Sequence, residues 1–122
     1  MILKKCEKCG ALVEVLEDCT CDNCGITCCG EEMKILKPNS VDASFEKHLP
    51  KCEIKDDMVY VDVNHVMDED HFINWIKVVN DDKEIKVIFK PGEEAKFSFK
   101  YVKGTTVYSY CNKHGLWVTE VE

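Results

Sequence analysis

Arginine is absent. All sixteen cations are lysine, set against 23 carboxylates, and the formal net charge is −7. A nucleic-acid reader would carry a basic stripe in which arginine is prominent, so that class is excluded. An anionic substrate would need a local positive feature on this acidic surface. No run of about 18 apolar residues occurs, so no membrane-spanning helix is expected. The opening MILKKCEKCG has no apolar core of the kind a secretory signal needs, which makes the cytoplasm the expected location. No C-x-x-C-H appears, so covalent haem attachment is not indicated. Helical periodicity of useful length, internal repeats and low-complexity segments are also missing.

Cysteine is abundant, with nine in 122 residues. In a reducing compartment such usage points to metal ligation rather than to disulfides. Cys6 and Cys9 form a C-x-x-C pair. The stretch DCTCDNCGITCCG, residues 18–30, then holds Cys19, Cys21, Cys24, Cys28 and Cys29. A tetrahedral site needs two more thiolates beside Cys6 and Cys9. By spacing alone Cys21-x-x-Cys24 is the orthodox partner, as in zinc ribbons, while the adjacent pair Cys28-Cys29 competes with it. Cys52 alternates with Ile54 near a strand start and reads as a buried inert thiol.

The first 37 residues are too few to bury a core, so a metal must staple them. Short strands are expected there at residues 11–16 and 33–36. Pro38-Asn39-Ser40 marks a boundary. Beyond it, MVYVDV alternates, with Val59, Val61 and Val63 on one face. Residues 51–54, 72–79, 84–89, 95–101, 106–111 and 116–121 are further runs rich in β-branched and aromatic side chains. Turn formers separate them at Asn80-Asp81-Asp82, Pro91-Gly92 and Lys103-Gly104. Seven short strands at this spacing predict a mainly β chain whose larger part, residues 38–122, is a β-sandwich or barrel.

All four histidines fall at strand ends or in loops, where a rigid sheet can present them. His65 and His71 bracket an acidic loop, His114 follows Cys111 as C-x-x-H, and His48 lies in Glu46-Lys47-His48. A single loop histidine is usually a solvated surface residue. Four so placed, one of them paired with a cysteine, suggest a nitrogen-rich metal site of a kind suited to iron, copper or zinc.

These features in this order resemble the desulfoferrodoxin family of two-iron superoxide reductases. The carriers are Cys6-x-x-Cys9, Cys28-Cys29-Gly30-x-x-Met33, Glu46-Lys47-His48, His65-x5-His71, Phe72-Ile73-Asn74-Trp75-Ile76 and Cys111-Asn112-x-His114-Gly115-Leu116-Trp117. The resemblance implies a desulforedoxin-like domain over residues 1–37, holding iron through Cys6, Cys9, Cys28 and Cys29. It implies an immunoglobulin-like seven-stranded β-sandwich over residues 38–122. There a second iron would have His48, His65, His71 and His114 in its equatorial plane and Cys111 as the axial ligand. The implied reaction is one-electron reduction of superoxide to hydrogen peroxide at an open sixth position. An axial thiolate would push electron density toward the iron, and backbone N–H groups from Asn112 to His114 would tune its sulfur. Lys47 would attract superoxide and order a proton-donating water. Glu46 would be a hard ligand for ferric iron after peroxide leaves. A rubredoxin-like electron donor and a homodimer are the implied partners. The loop between the two cysteine pairs is longer and richer in cysteine than the family pattern, and Cys19, Cys21 and Cys24 inherit no role; free thiols, a redox-active pair and adventitious metal ligands are the alternatives, with exposed reduced thiols the expectation.

Two other functions compete with the enzyme. One is a non-catalytic iron protein for electron transfer or storage. The other is a structural zinc protein in which the C-x-x-C and C-x-x-H pairs only fasten the fold.

Overall fold

A computed structural model of the chain describes residues 1–22 and 25–122. The chain divides into two compact units, Met1–Lys37 and Pro38–Glu122.

The first unit is built from very short strands. β1 (Ile2–Lys5) is central in an antiparallel sheet, flanked by β2 (Leu12–Val15) and β5 (Lys34–Ile35). Between them β3 (Thr27–Cys28) and β4 (Glu31–Glu32) form a two-residue hairpin. Its turn is Cys29-Gly30, with φ values of 54° and 77°. Positive φ at both central positions is the mirror-image turn that matches the twist of a hairpin. Glycine takes that conformation freely, whereas Cys29 takes it against the steric preference of a side chain. The C-C-G of the sequence is therefore one strand residue followed by a tight turn. Few apolar residues are buried here; Leu3, Cys6 and Met33 are. That is too little core for 37 residues to stand without a staple.

In the second unit, one helical turn, α1 (Phe45–His48), precedes seven strands. These are β6 (Lys51–Lys55), β7 (Met58–Asp62), β8 (Ile73–Val79), β9 (Glu84–Ile88), β10 (Lys96–Lys100), β11 (Thr106–Cys111) and β12 (Gly115–Glu120). They form two antiparallel sheets, ordered β10-β7-β6 and β12-β11-β8-β9. Three of the connections cross from one sheet to the other, as in an immunoglobulin-like sandwich. The period-2 alternation sets which side chains meet between the sheets. Val59, Val61 and Val63 are buried while Tyr60 between them is half exposed, and Ile73, Ile76, Val78, Val107 and Cys111 pack into the same core. Phe89, Ala95, Phe99 and Val121 belong to the same core.

All seven strands expected beyond residue 38 are present. In the first unit residues 11–16 and 33–36 also hold strands, but β1 and the β3–β4 hairpin were not legible in sequence. Strands of two residues have no measurable alternation. The short helix was likewise invisible, because four residues cannot show a 3.6 period. No helix among the described residues is long and apolar enough to cross a membrane.

Candidate metal centres

The first unit brings four sulfurs together. Those of Cys6, Cys9, Cys28 and Cys29 all lie within 4.8 Å of one another. Cys9 Sγ is 3.6 Å from Cys28 Sγ, and Cys28 Sγ is 3.9 Å from Cys29 Sγ. Four thiolates about 2.3 Å from one ion in a tetrahedron would be about 3.8 Å apart, so the spacing fits a tetrahedral ion. Local backbone explains the arrangement. The C-x-x-C turns back on itself, with Gly10 N–H donating to Cys6 C=O at 2.9 Å. The Cys29-Gly30 turn places two consecutive sulfurs on one side.

The electrostatics of the set call for a cation. Backbone N–H groups at Cys9 and Lys8 lower the Cys6 thiol to about 7, the Cys9 contribution being the larger. With one thiolate present, the next are resisted. Cys28 is pushed up to about 12, first by its hydrogen bond with Cys9, and Cys29 is raised as well, again chiefly through Cys9. A metal ion removes this conflict by neutralising all four.

Cys21, the described member of the competing pair, stands outside this group and is exposed. Cys24 lies outside the described residues. Cys19 departs from the expectation of reduced thiols: it is disulfide-bonded.

The second unit gathers all four histidines and one cysteine. One donor atom from each of His48, His65, His71, Cys111 and His114 lies within 4.8 Å of the others. Four different segments contribute. His48 ends α1 and is buried, whereas the sequence placed it in a loop. His65 and His71 stand on the connection between β7 and β8. Asp68 and His71 close a tight turn there through two backbone hydrogen bonds, at 3.0 and 3.3 Å. Cys111 ends β11, and the three-residue loop 112–114 leads to Gly115, which faces Cys111 across the hairpin at φ 79°. A register shift between Tyr110 and Cys111 against β8 marks a bulge at the site end of the sheet, a common device for re-aiming a side chain.

The rings form a closed square. Centroids of successive pairs are 4.7 Å (His48–His65), 4.6 Å (His65–His71), 5.0 Å (His71–His114) and 4.7 Å (His114–His48) apart. Neighbouring planes are inclined by 68° to 88°. The inward atoms are Nε2 of His48, His65 and His71, and Nδ1 of His114. Their spacings are 3.2 Å (His48–His65), 2.9 Å (His48–His114) and 3.3 Å (His71–His114). Nitrogens about 2.1 Å from one ion and at right angles would be about 3.0 Å apart. Cys111 Sγ is 3.5 Å from His65 Nε2 and 3.8 Å from His114 Nδ1, and it accepts the His114 backbone N–H at 3.4 Å.

Tautomers decide that a cation belongs in the square. His48 Nδ1 faces the Ser44 carbonyl at 2.7 Å and His65 Nδ1 faces the Val66 carbonyl at 2.5 Å. A carbonyl only accepts, so both Nδ1 atoms carry the proton. In neutral rings the two Nε2 atoms are then bare lone pairs facing each other at 3.2 Å. Loss of hydration is the main influence holding His48, His65 and His71 below the ordinary imidazole value, which keeps them neutral. Two opposed lone pairs repel, and a shared metal ion turns that repulsion into ligation.

Trp117 supports two of these ligands, and sequence reading saw it only as part of a motif. Fully buried, it stacks on the His48 ring at 4.9 Å and 24°, and its indole N–H donates to the His114 carbonyl at 3.1 Å. Ser109, also fully buried, donates its hydroxyl to the His48 carbonyl at 2.9 Å. Its signal in the sequence was a lone serine on the inward face of an apolar strand. Glu46 and Lys47 are exposed beside His48, and the Lys47 charge acts on both the His48 and His65 rings.

Known proteins share this arrangement of sequence and fold. The family model for desulfoferrodoxin matches residues 40–120. A desulfoferrodoxin of Syntrophotalea carbinolica is 40% identical over 120 residues, covering 95% of this chain and 93% of that protein. The superoxide reductase from Treponema pallidum has the same fold, with a TM-score of 0.67 at 23% identity over 96% of this chain and 98% of that one. The one-iron superoxide reductase from Giardia intestinalis covers 62% of this chain and 97% of its own, with a TM-score of 0.55 at 27% identity. The desulfoferrodoxin family binds iron at two sites, and the four-cysteine set and the set of four histidines with one cysteine are the two donor groups this chain assembles. With matching sequence across nearly its whole length, a sandwich of the same fold and both donor sets assembled, the chain belongs to the desulfoferrodoxin family.

Proposed function

We propose that the protein is a superoxide reductase, with residues 38–122 as its catalytic domain and residues 1–37 as an auxiliary desulforedoxin-like iron domain. The observation that carries the reading is the closed square of four imidazoles with a single thiolate, five donors in all. For six-coordinate iron such a set leaves one position for substrate. Iron held there supplies one electron at a time, which zinc does not. The reaction takes one superoxide, one electron and two protons to one hydrogen peroxide.

The remaining work falls to the chain. Lys47 is exposed next to His48 and its field reaches His48 and His65. An ammonium there draws superoxide toward the site against a net charge of −7. It also orders water that delivers protons to the reduced oxygen. Glu46, on the same helical turn, is the carboxylate that caps the site once product has left. His48, His65, His71, His114 and Cys111 hold the catalytic iron, and Cys6, Cys9, Cys28 and Cys29 hold the other. The donor is a rubredoxin-like protein, the assembly a homodimer and the location the cytoplasm.

The test is a stoichiometric one. Iron-loaded protein given superoxide should consume one external electron per superoxide and form peroxide without evolving oxygen, which separates it from a dismutase. Lys47→Ala should keep its iron and lose rate most strongly at low salt. Parent-like rates for that variant at low salt would remove Lys47 from the mechanism. Colourless protein carrying stoichiometric zinc would point to a purely structural role.

A further inference from the structure

We propose that Asn112 is a positioning residue for His71, clamping the backbone on both sides of that ligand with its side-chain amide. The inference rests on reading His48, His65, His71, Cys111 and His114 as one metal site.

Imidazole ligands need an outer partner to fix the ring. His48 and His65 have one, since each donates its Nδ1–H to a backbone carbonyl. His114 is held through its own backbone, with its N–H on Cys111 Sγ and its carbonyl receiving the Trp117 indole N–H. For His71, among the described residues, no backbone carbonyl or carboxylate faces the outer ring nitrogen. Among the described residues, the hydrogen-bond and ring-packing partners of its ring are the neighbouring ligand rings. The orientation of His71 must therefore come from the backbone that carries it.

That backbone is the tight turn from Asp68 to His71, closed on itself by the two Asp68–His71 hydrogen bonds. Such a closure keeps the turn's shape but does not fix where the turn sits. Asn112 does. Its Nδ2–H donates to the Asp70 carbonyl at 2.9 Å, and its Oδ1 accepts the Phe72 N–H at 3.0 Å. These are the two residues flanking His71. One amide donor meets a carbonyl and one amide acceptor meets an N–H, so only one orientation of the group satisfies both. The Asn112 backbone N–H adds a third link, to the Phe72 carbonyl at 3.3 Å. The nearby ion pair of Lys113 with Asp70, 3.9 Å long and exposed, is too weak to do the same work. Asn112 also follows Cys111 and precedes His114 by two residues. One side chain thereby fixes the distance between the turn bearing His71 and the loop bearing two other donors.

The experiment uses the full chain loaded with iron at both sites. Release of iron into excess bipyridine-type ferrous chelator is followed in the parent, Asn112→Ala and Asn112→Asp. The four-cysteine site is the internal reference, assigned with a Cys28→Ser/Cys29→Ser variant that lacks it. Asn112→Ala should release iron from the histidine-rich site about 10- to 100-fold faster, the usual effect of losing an outer partner, with release from the four-cysteine site unchanged. Asn112→Asp should fall between, because its carboxylate still accepts from Phe72 but cannot donate to Asp70. Thermal unfolding of loaded and metal-free protein supplies the control for simple destabilisation. A positioning role shrinks the gain in melting temperature that metal confers; a purely structural role lowers both melts together and leaves that gain intact. Parent-like release with an unchanged gain overturns the proposal. If Asn112→Ala does not fold, parent-like release from Asn112→Asp overturns it equally. None of these readouts is activity: a parent that holds both irons but does not reduce superoxide refutes the proposed reaction and leaves the role of Asn112 standing.

Discussion

Replacing Trp117 by phenylalanine tests how the sandwich supports its site. Trp117 is fully buried, with its ring on His48, Phe45 edge-on at 5.2 Å and 83°, and its N–H on the His114 carbonyl. Phenylalanine keeps one aromatic ring and removes both the donor and the second ring. The His114 carbonyl loses its partner in a half-buried place, which costs about 1–2 kcal/mol. The void left by the missing atoms adds about 1–2 kcal/mol. The sum is about 2–4 kcal/mol, at the high end for a single substitution. With a urea slope of roughly 2 kcal/mol per molar, the unfolding midpoint of metal-free protein should fall by about 1–2 M. Trp75 lies on β8 of the same unit, so its fluorescence reports the transition in parent and variant alike. A midpoint within about 0.2 M of the parent would mean that the stack and the hydrogen bond contribute almost nothing, and the support assigned to Trp117 would be wrong.

Further expectations concern the titrating groups and the cysteines. His48, His65 and His71 are depressed in the fold, first by lost hydration. The unfolded chain then binds more protons than the folded one. Stability of metal-free protein should be fully present above the ordinary imidazole value of 6.5 and fall as pH drops through the folded values, measured by urea titration across pH 5 to 7. A flat profile over that window would contradict the loss of hydration assigned to these rings. Cys28→Ser/Cys29→Ser should lose one iron per chain by elemental analysis and keep the other; loss of an iron from Cys21→Ser instead would move the site to the competing pair. Burial raises the Cys52 thiol from about 9 to about 11. Its alkylation by iodoacetamide near pH 8 should be roughly 100-fold slower than that of an ordinary exposed thiol, read by peptide mass analysis. Ser109→Ala removes the donor to the His48 carbonyl and should destabilise metal-free protein by about 1–3 kcal/mol in the same urea assay.

Much of this molecule is legible in its residues, and the reasons are physical. The strands of the second unit show because inward and outward positions alternate, as at Val59, Tyr60 and Val61. The histidines stand out because all four fall outside the alternating runs. Less could be read where an element is too short to repeat. The turn at Cys29-Gly30 is two residues long, and the helix carrying His48 is a single turn. Support from a distance was also hidden. Ser109 reaches His48 across 61 positions of chain, and Asn112 reaches Asp70 and Phe72 across about 40.

The sequence alone determined the donor inventory and the strand pattern, since each depends on residue type and local order. Tertiary structure decided which donors meet and with which atom. Three histidines turn Nε2 inward and one turns Nδ1, because the choice depends on carbonyls at Ser44 and Val66 and on the tight loop behind Cys111. Structure likewise selected Cys28 and Cys29 for the group around Cys6 and Cys9, through a hairpin turn that places adjacent sulfurs side by side. Spacing along a chain fixes how far apart two ligands can be; the backbone between them fixes whether they face the same point.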